Sequence, residues 1–306
     1  MDLQTAVKEY VADPAANLNT PQSIQSYRRD LNALAHLHPG ANLEDITEDH
    51  LVAYCAAPGV SSATTVNRRT RVSGLFGWAY FRRHTSEDVS ANLRRVIRVK
   101  PKPVVKNHWL TEAEVTRVFD SIDIRSDMGL RDLLICRLGF TCGLRRTEIT
   151  HLTWDQVDEN KAEVFFTGKG RKTASVWLNE PTRLLLVEWR ARHPEVAHAS
   201  GDCPVLCKFR NQVRADGRLG LVTLWGQPLL DRSLGDVVRR VSVQAGVPFR
   251  PHDMRRSFAG ILQDRGVPIE DISAALRHSN IGTTQRYLDT RQDAAYQAVK
   301  KAGLDL

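Results

Sequence analysis

The segment Val99-Lys-Pro-Lys-Pro-Val-Val-Lys106 constrains this chain more than any other. Its two prolines remove backbone donors and fix φ, so neither a helix nor a central strand runs through it. The interleaved lysines favour an extended basic strap. The 306 residues, long for one compact core, are therefore read as two domains. The first covers 1–102, a basic linker covers 103–106, the second domain covers 107–290, and 291–306 form a C-terminal tail.

Charge follows the same division. Residues 1–67 carry three basic and eight acidic side chains, whereas residues 68–106 carry eleven basic and two acidic ones. Most of the net charge of +8 thus sits in one short stretch, the footprint of a surface that tracks phosphates. The plainer reading is a solvated basic helix face. No apolar run approaches the roughly 20 residues that span a bilayer. The segment Met1 to Ala15 has two acids in its first ten residues and no apolar core, so it is not read as a signal peptide. Five scattered cysteines fit a reducing compartment better than a disulfide framework. The expected location is the cytoplasm.

The first domain reads as helical. One helix runs from Pro21 to His36 after the capping residue Thr20, a second starts at Thr47-Glu48, and a third runs from Ser62 to about Arg82. The third turns Val66, Val72, Leu75, Phe76 and Trp78 inward and carries Arg68, Arg69 and Arg71 in its first half. A helix with a basic end and an apolar body suits a major groove. Those arginines, with Lys100, Lys102 and Lys106, are the expected DNA-binding residues. A fourth short helix is expected near Val89 to Val96.

The second domain opens with the capping pattern Leu110-Thr-Glu-Ala-Glu. A hairpin is expected from Glu163-Val-Phe-Phe-Thr and Lys172-Thr-Ala-Ser-Val-Trp-Leu, turning at Gly168-Lys-Gly-Arg171. Helices are expected at about 181–192, 233–245, 253–265 and 269–277. Four fragments then carry chemistry: Thr141-Cys-Gly-Leu-Arg-Arg-Thr-Glu148, Gly168-Lys-Gly-Arg-Lys172, Pro251-His-Asp-Met-Arg-Arg-Ser-Phe258 and Leu276-Arg-His-Ser-Asn-Ile-Gly-Thr-Thr-Gln-Arg-Tyr287. Singly, each is ordinary: an Arg-Arg pair is usually surface and a Gly-Lys-Gly turn usually only a turn.

Together and in this order they resemble the tyrosine recombinases (the phage integrase family), over nearly the whole chain. The matched positions are Arg145, Lys169, His252, Arg255, His278 and Tyr287, with Glu148 at the acidic position that supports the first arginine. The pattern departs at Arg277, where a glycine usually precedes the second histidine, and at Met254, where leucine is commoner. The resemblance implies an all-α core-binding domain and a mixed α/β catalytic domain, mainly helical with a β-hairpin. It implies strand cleavage and rejoining through a 3′-phosphotyrosyl intermediate, with no metal, nucleotide or other cofactor. The partners implied are double-stranded DNA recombination sites and three further copies in a tetramer. Accessory directionality proteins and a tail packed on a neighbouring protomer are also implied. The short N-terminus leaves no room for an arm-binding domain, so a simple integrase and an Xer-type resolvase both remain open.

The residue chemistry agrees with that reading. Two guanidiniums clamp a phosphorane with paired planar bonds, as an ammonium does not, which suits Arg145 and Arg255. His278 adds one donor, and such preorganised charge is usually the largest catalytic term. His252 and Arg255, three apart, share a helix face, while Arg256 is expected to face backbone phosphate or solvent. Met254, Phe258, Ile261 and Leu262 would hold that helix in the core. Tyr287 attacks, His252 is the candidate base, and Lys169 at the turn protonates the leaving 5′-oxygen.

Four rival readings stand beside this one. The sequence around Gly170-Arg171-Lys172-Thr173 lacks the glycine spacing of a P-loop. A zinc site at His193, His198, Cys203 and Cys207 has tolerable spacing, but Pro204-Val-Leu206 reads as a buried strand. A regulator that kept the fold without the chemistry would have lost at least one of the six residues, and a type IB topoisomerase would relax DNA rather than recombine it.

Overall fold

The computed structural model describes residues 1–99, 109–167, 173–192, 202–213, 219–278 and 280–288. The chain divides into two compact units, Met1–Val105 and Lys106–Leu306. Among the described residues the structure is mainly helical, with two small antiparallel sheets, and no helix is long and apolar enough to cross a membrane.

The first unit is built from α1 (Leu3–Ala12), α2 (Pro21–Leu37), α3 (Glu48–Cys55), α4 (Ser62–Phe81) and the short α5 (Leu93–Val96). Each of the first four starts at a side-chain cap: Asp2, Thr20, Thr47 and Ser61 accept from Thr5, Ser23, His50 and Thr64 N–H groups, satisfying donors a helix start leaves open. Leu3, Val7, Leu31, Leu34, Leu51, Val72, Leu75 and Phe76 form its core. Val66 and Trp78 are only half-buried, and Thr65 takes an inward position instead. The helix expected from Val89 begins only at Leu93, because Asp88 bonds both the backbone and the hydroxyl of Ser90 at 2.9 and 2.6 Å. A turn of that kind competes with helix for the same donors.

The three arginines of α4 are engaged inside this unit. Arg68 donates to the Tyr54 carbonyl at 2.8 Å and lies 4.5 Å over the Tyr54 ring. Arg69 donates to the Ile97 carbonyl at 2.9 Å. Arg71 pairs with Asp30, donates to Ser26 Oγ at 2.7 Å and keeps only 15% of its side chain exposed. The exposed cations of the basic stretch are Arg82, Arg83, Arg94, Arg95 and Arg98. Lys100, Lys102 and Lys106 lie outside the described residues.

The second unit contains α6 (Glu112–Asp120), α7 (Asp127–Phe140), α8 (Arg146–Thr150), α9 (Glu180–Ala191), α10 (Asp231–Ala245), α11 (Pro251–Asp264), α12 (Ile269–Ala275) and α13 (Ile281–Leu288). Strands β1 (Val157–Asp158), β2 (Glu163–Thr167) and β3 (Thr173–Trp177) form a sheet in the order β1-β2-β3, with β2 and β3 in register from Glu163–Trp177 to Thr167–Thr173. A second hairpin pairs β4 (Cys207–Val213) with β5 (Leu219–Pro228). Buried α7 runs through the core, flanked by α9 and α11. It buries even Arg131 and Asp132, which pair at 2.9 Å. Arg131 also donates to the Cys207 carbonyl, and Asp132 pairs with Arg240. Pro204 forms a single bridge with Thr153 rather than a strand, and Val205 and Leu206 are buried beside it.

Candidate active site

Among the described residues, α8, α11 and the turn after α12 bring Arg145, Glu148, His252, Arg255 and His278 together. Gly143, before α8, has φ +60°, and a Cβ there would stand 2.5 Å from the Phe258 ring, so this turn requires glycine. It places Arg145 at the N-cap of α8 with Glu148 one turn on. Glu148 accepts from the Arg145 backbone N–H at 2.8 Å and from Arg145 Nη1 at 2.7 Å. The arginine is thus fixed at its root and by one arm, with 42% of its side chain exposed.

Arg255 enters from α11 and is 2% exposed. It donates to the Gly143 carbonyl at 2.6 Å and to the Leu276 carbonyl, and lies 3.8 Å from Glu148 Oε2. It ties the turn before α8 to the end of α12. Met254 beside it is fully buried, while Phe258, Ile261 and Leu262 are half-buried. His252, one turn before Arg255, is exposed, and its pKa is held below the usual value by desolvation and by the Arg256 and Arg255 charges. Arg256, expected to face phosphate or solvent, is half-buried and donates to Asp253 at 3.3 Å, since both lie on one turn of α11.

Helix α12 ends in a Schellman turn: His278 N–H bonds the Ser273 carbonyl at 3.0 Å and Arg277 N–H the Ala274 carbonyl at 2.8 Å. The turn puts Arg277 at φ +54°, a region that favours glycine and costs a side-chain-bearing residue about 1 kcal/mol. That explains on physical grounds the glycine expected at this position. Arg277 Nη2 pairs with Glu148 Oε2 at 2.6 Å, its guanidinium lies 5.2 Å from the Phe166 ring of β2, and its side chain is 12% exposed. Burial raises the Glu148 pKa, but the Arg145 N–H and the Arg277 and Arg145 guanidiniums outweigh it and hold the carboxyl below its usual range. One carboxylate set against three guanidiniums leaves a net positive centre suited to a phosphate.

His278 Nδ1 lies 2.8 Å from Thr284 Oγ1, and Thr284 is fully buried on α13. Tyr287 belongs to the same helix, three residues on. Thr284 had escaped sequence reading, although its i, i+3 spacing to Tyr287 is the signal that would have found it. Lys169 lies outside the described residues, as do His193 and His198. Among the described residues no group of three or more His, Cys, Asp and Glu side chains is placed to hold a metal.

Desolvation, then the Arg255, Arg145 and Arg277 charges, push the His278 pKa down to about 4. The folded protein therefore refuses a proton that the unfolded chain accepts near pH 6.5. Stability attributable to His278 is full above that pH and falls as the pH drops from about 6.5 to about 4. His278→Gln should show a shallower loss of thermal stability across that window. An imidazole signal for His278 titrating near 6.5 in the free protein would contradict the assignment.

Residues 108–293 match the phage integrase family. A tyrosine recombinase XerD of Ralstonia nicotianae is 30% identical over 272 residues, covering 87% of this chain and 82% of the relative. A tyrosine recombinase XerC of Chromobacterium violaceum is 25% identical over 311 residues, covering 98% and 97%. Among solved structures, the XerH site-specific recombinase bound to a palindromic difH substrate superposes with a TM-score of 0.69 at 21% identity, covering 91% of this chain and 79% of that one. A lambda integrase tetramer bound to a Holliday junction gives 0.67 at 16%, covering 95% and 78%. With more than half of its length matched, the chain belongs to the phage integrase family and is a site-specific recombinase of the tyrosine class.

Proposed function

We propose that this recombinase cuts and rejoins duplex DNA through a 3′-phosphotyrosyl bond on Tyr287, with neither a metal nor a nucleotide as reactant. The observation that supports this most is the cluster of Arg145, Arg255 and Glu148 beside His278, whose ring is bonded to the helix that carries Tyr287. Arg145 and Arg255 take the non-bridging oxygens, and Arg255 also anchors the two segments it joins. With His278 Nδ1 bonded to Thr284 Oγ1, Nε2 is the ring nitrogen that serves the phosphate in this reading. Tyr287 passes its proton to His252 as its oxygen bonds phosphorus. The bond to the 5′-oxygen breaks, and Lys169 protonates that oxygen. Attack by a 5′-hydroxyl reverses these steps, so the energy of the bond is conserved.

The unit Met1–Val105 is the core-binding domain in this reading, and Lys100, Lys102 and Lys106 track the phosphate backbone. Arg94, Arg95 and Arg98, exposed on and beside α5, are better placed for DNA than Arg68, Arg69 and Arg71, whose bonding is internal. The assembly is a tetramer on two DNA sites, as the lambda integrase structure supports, and the compartment is the cytoplasm.

Incubation with a duplex nicked near the cut site tests the reading, because the short strand diffuses away and traps the intermediate. In EDTA and without ATP, wild-type protein should give a DNA adduct that survives a denaturing gel. Binding without any adduct would favour a regulator that keeps the fold. An adduct accompanied by relaxation but no recombination would favour a topoisomerase.

A further inference from the structure

Arg277 is the member of the Glu148 cluster that the family motif does not supply. It is held at positive φ, buried to 12% exposure, and aimed at the carboxylate that supports Arg145. We propose that Arg277 is a positioning residue: by occupying Glu148 Oε2 it leaves Arg145 held by one arm, with its outer edge available to the scissile phosphate. The proposal rests on reading Arg145 as a phosphate-binding group.

A carboxylate facing a guanidinium tends to close a two-armed fork. Here Oε1 takes Arg145 Nη1, while Oε2 takes the Arg145 backbone N–H and Arg277 Nη2. Arg255 approaches Oε2 only to 3.8 Å. With Oε2 filled, Arg145 cannot close its second arm on Glu148. Its Nη2 makes instead a long contact of 3.4 Å to the Arg277 carbonyl, which a phosphate oxygen displaces. The Arg277 guanidinium lies over the Phe166 ring, 5.2 Å from its centroid, a cation–π contact that favours this position. Without Arg277, Oε2 is open to the remaining donors of Arg145, and the closed fork turns away from DNA. The third guanidinium also adds charge to the centre, but its main work is on geometry.

The test is single-turnover cleavage of the nicked duplex at saturating protein, with equilibrium binding measured beside it. Arg277→Gly suits the backbone at φ +54°, so the fold is kept. Cleavage should slow about 10- to 100-fold, the scale of a misplaced catalytic group, while duplex affinity changes less than about threefold. Arg277→Lys, which retains a donor for Oε2, should recover part of the loss. In a Glu148→Gln background Arg277→Gly should cost nothing further, because its effect runs through that carboxylate. Wild-type cleavage by Arg277→Gly would overturn the inference, as would an equal loss in both backgrounds. Wild-type protein that forms no adduct would overturn the mechanism as well, so the two failures are told apart on one gel.

Discussion

Tyr287→Phe is expected to bind the recombination site as wild type does and to form no covalent adduct. The substitution removes one oxygen and leaves the ring, and α13 is held by Thr284 and Leu288, both buried. The bond from Thr284 to His278 survives as well. Loss of cleavage by about 10⁴-fold or more is the scale seen when an enzyme loses its nucleophile. The nicked duplex reads this directly, since the wild-type band shifts on a denaturing gel and the variant band should not. A normal adduct yield from Tyr287→Phe would mean that another residue attacks, and Tyr296 is the next to replace.

Much of the fold was legible because helix starts announce themselves. Thr20, Thr47, Ser61 and Thr111 each stand where a capping bond is made. What escaped did so for identifiable reasons. Helix α1 carries a clear stripe at Leu3, Ala6, Val7, Tyr10 and Val11, in a segment read only for targeting signals. Helix α7 is buried on all sides and holds charges that pair internally, so it has no stripe to find. The β4–β5 hairpin is rich in polar residues, Arg210, Asn211 and Gln212 among them, which hid the Asp216-Gly217 turn signal.

The site shows the same division. Motif order named the candidate groups, but sequence could not show that Glu148 meets Arg277 across 129 positions or that Arg255 reaches the Gly143 carbonyl across 112. Charge counting also failed to sort inner from outer arginines. Arg68, Arg69 and Arg71 gave the basic stretch much of its weight, yet Tyr54, Ile97, Asp30 and Ser26 draw them into the fold. The departure at Arg277, visible in the sequence as an oddity, acquired meaning only when its φ and its carboxylate partner were both known.

Lys169→Ala should slow cleavage by roughly 10²–10⁴, the usual range for loss of a general acid. The assignment becomes sharp when the bridging 5′-oxygen is replaced by sulfur. A thiol has a pKa of about 8.5 against roughly 15 for an alcohol, so the thiolate departs without a proton. Lys169→Ala should then cleave the sulfur duplex nearly as fast as wild type does. Arg145→Ala should stay slow on both substrates, because its task is charge on oxygens that remain. Arg145 suits that contrast, being the most open of the three guanidiniums about Glu148, whereas Arg255 also bonds two carbonyls and its removal would disturb the fold. Lys172 is the rival donor, three residues on. Lys169 is preferred because in the sequence it is central to Gly168-Lys-Gly-Arg171, between β2 and β3, whereas Lys172 directly precedes β3. Rescue of Lys172→Ala by sulfur, with none for Lys169→Ala, would move the acid to Lys172 and leave the mechanism standing. Rescue of neither, with both slow on oxygen, would mean that the lysines bind the phosphate instead of protonating the leaving group.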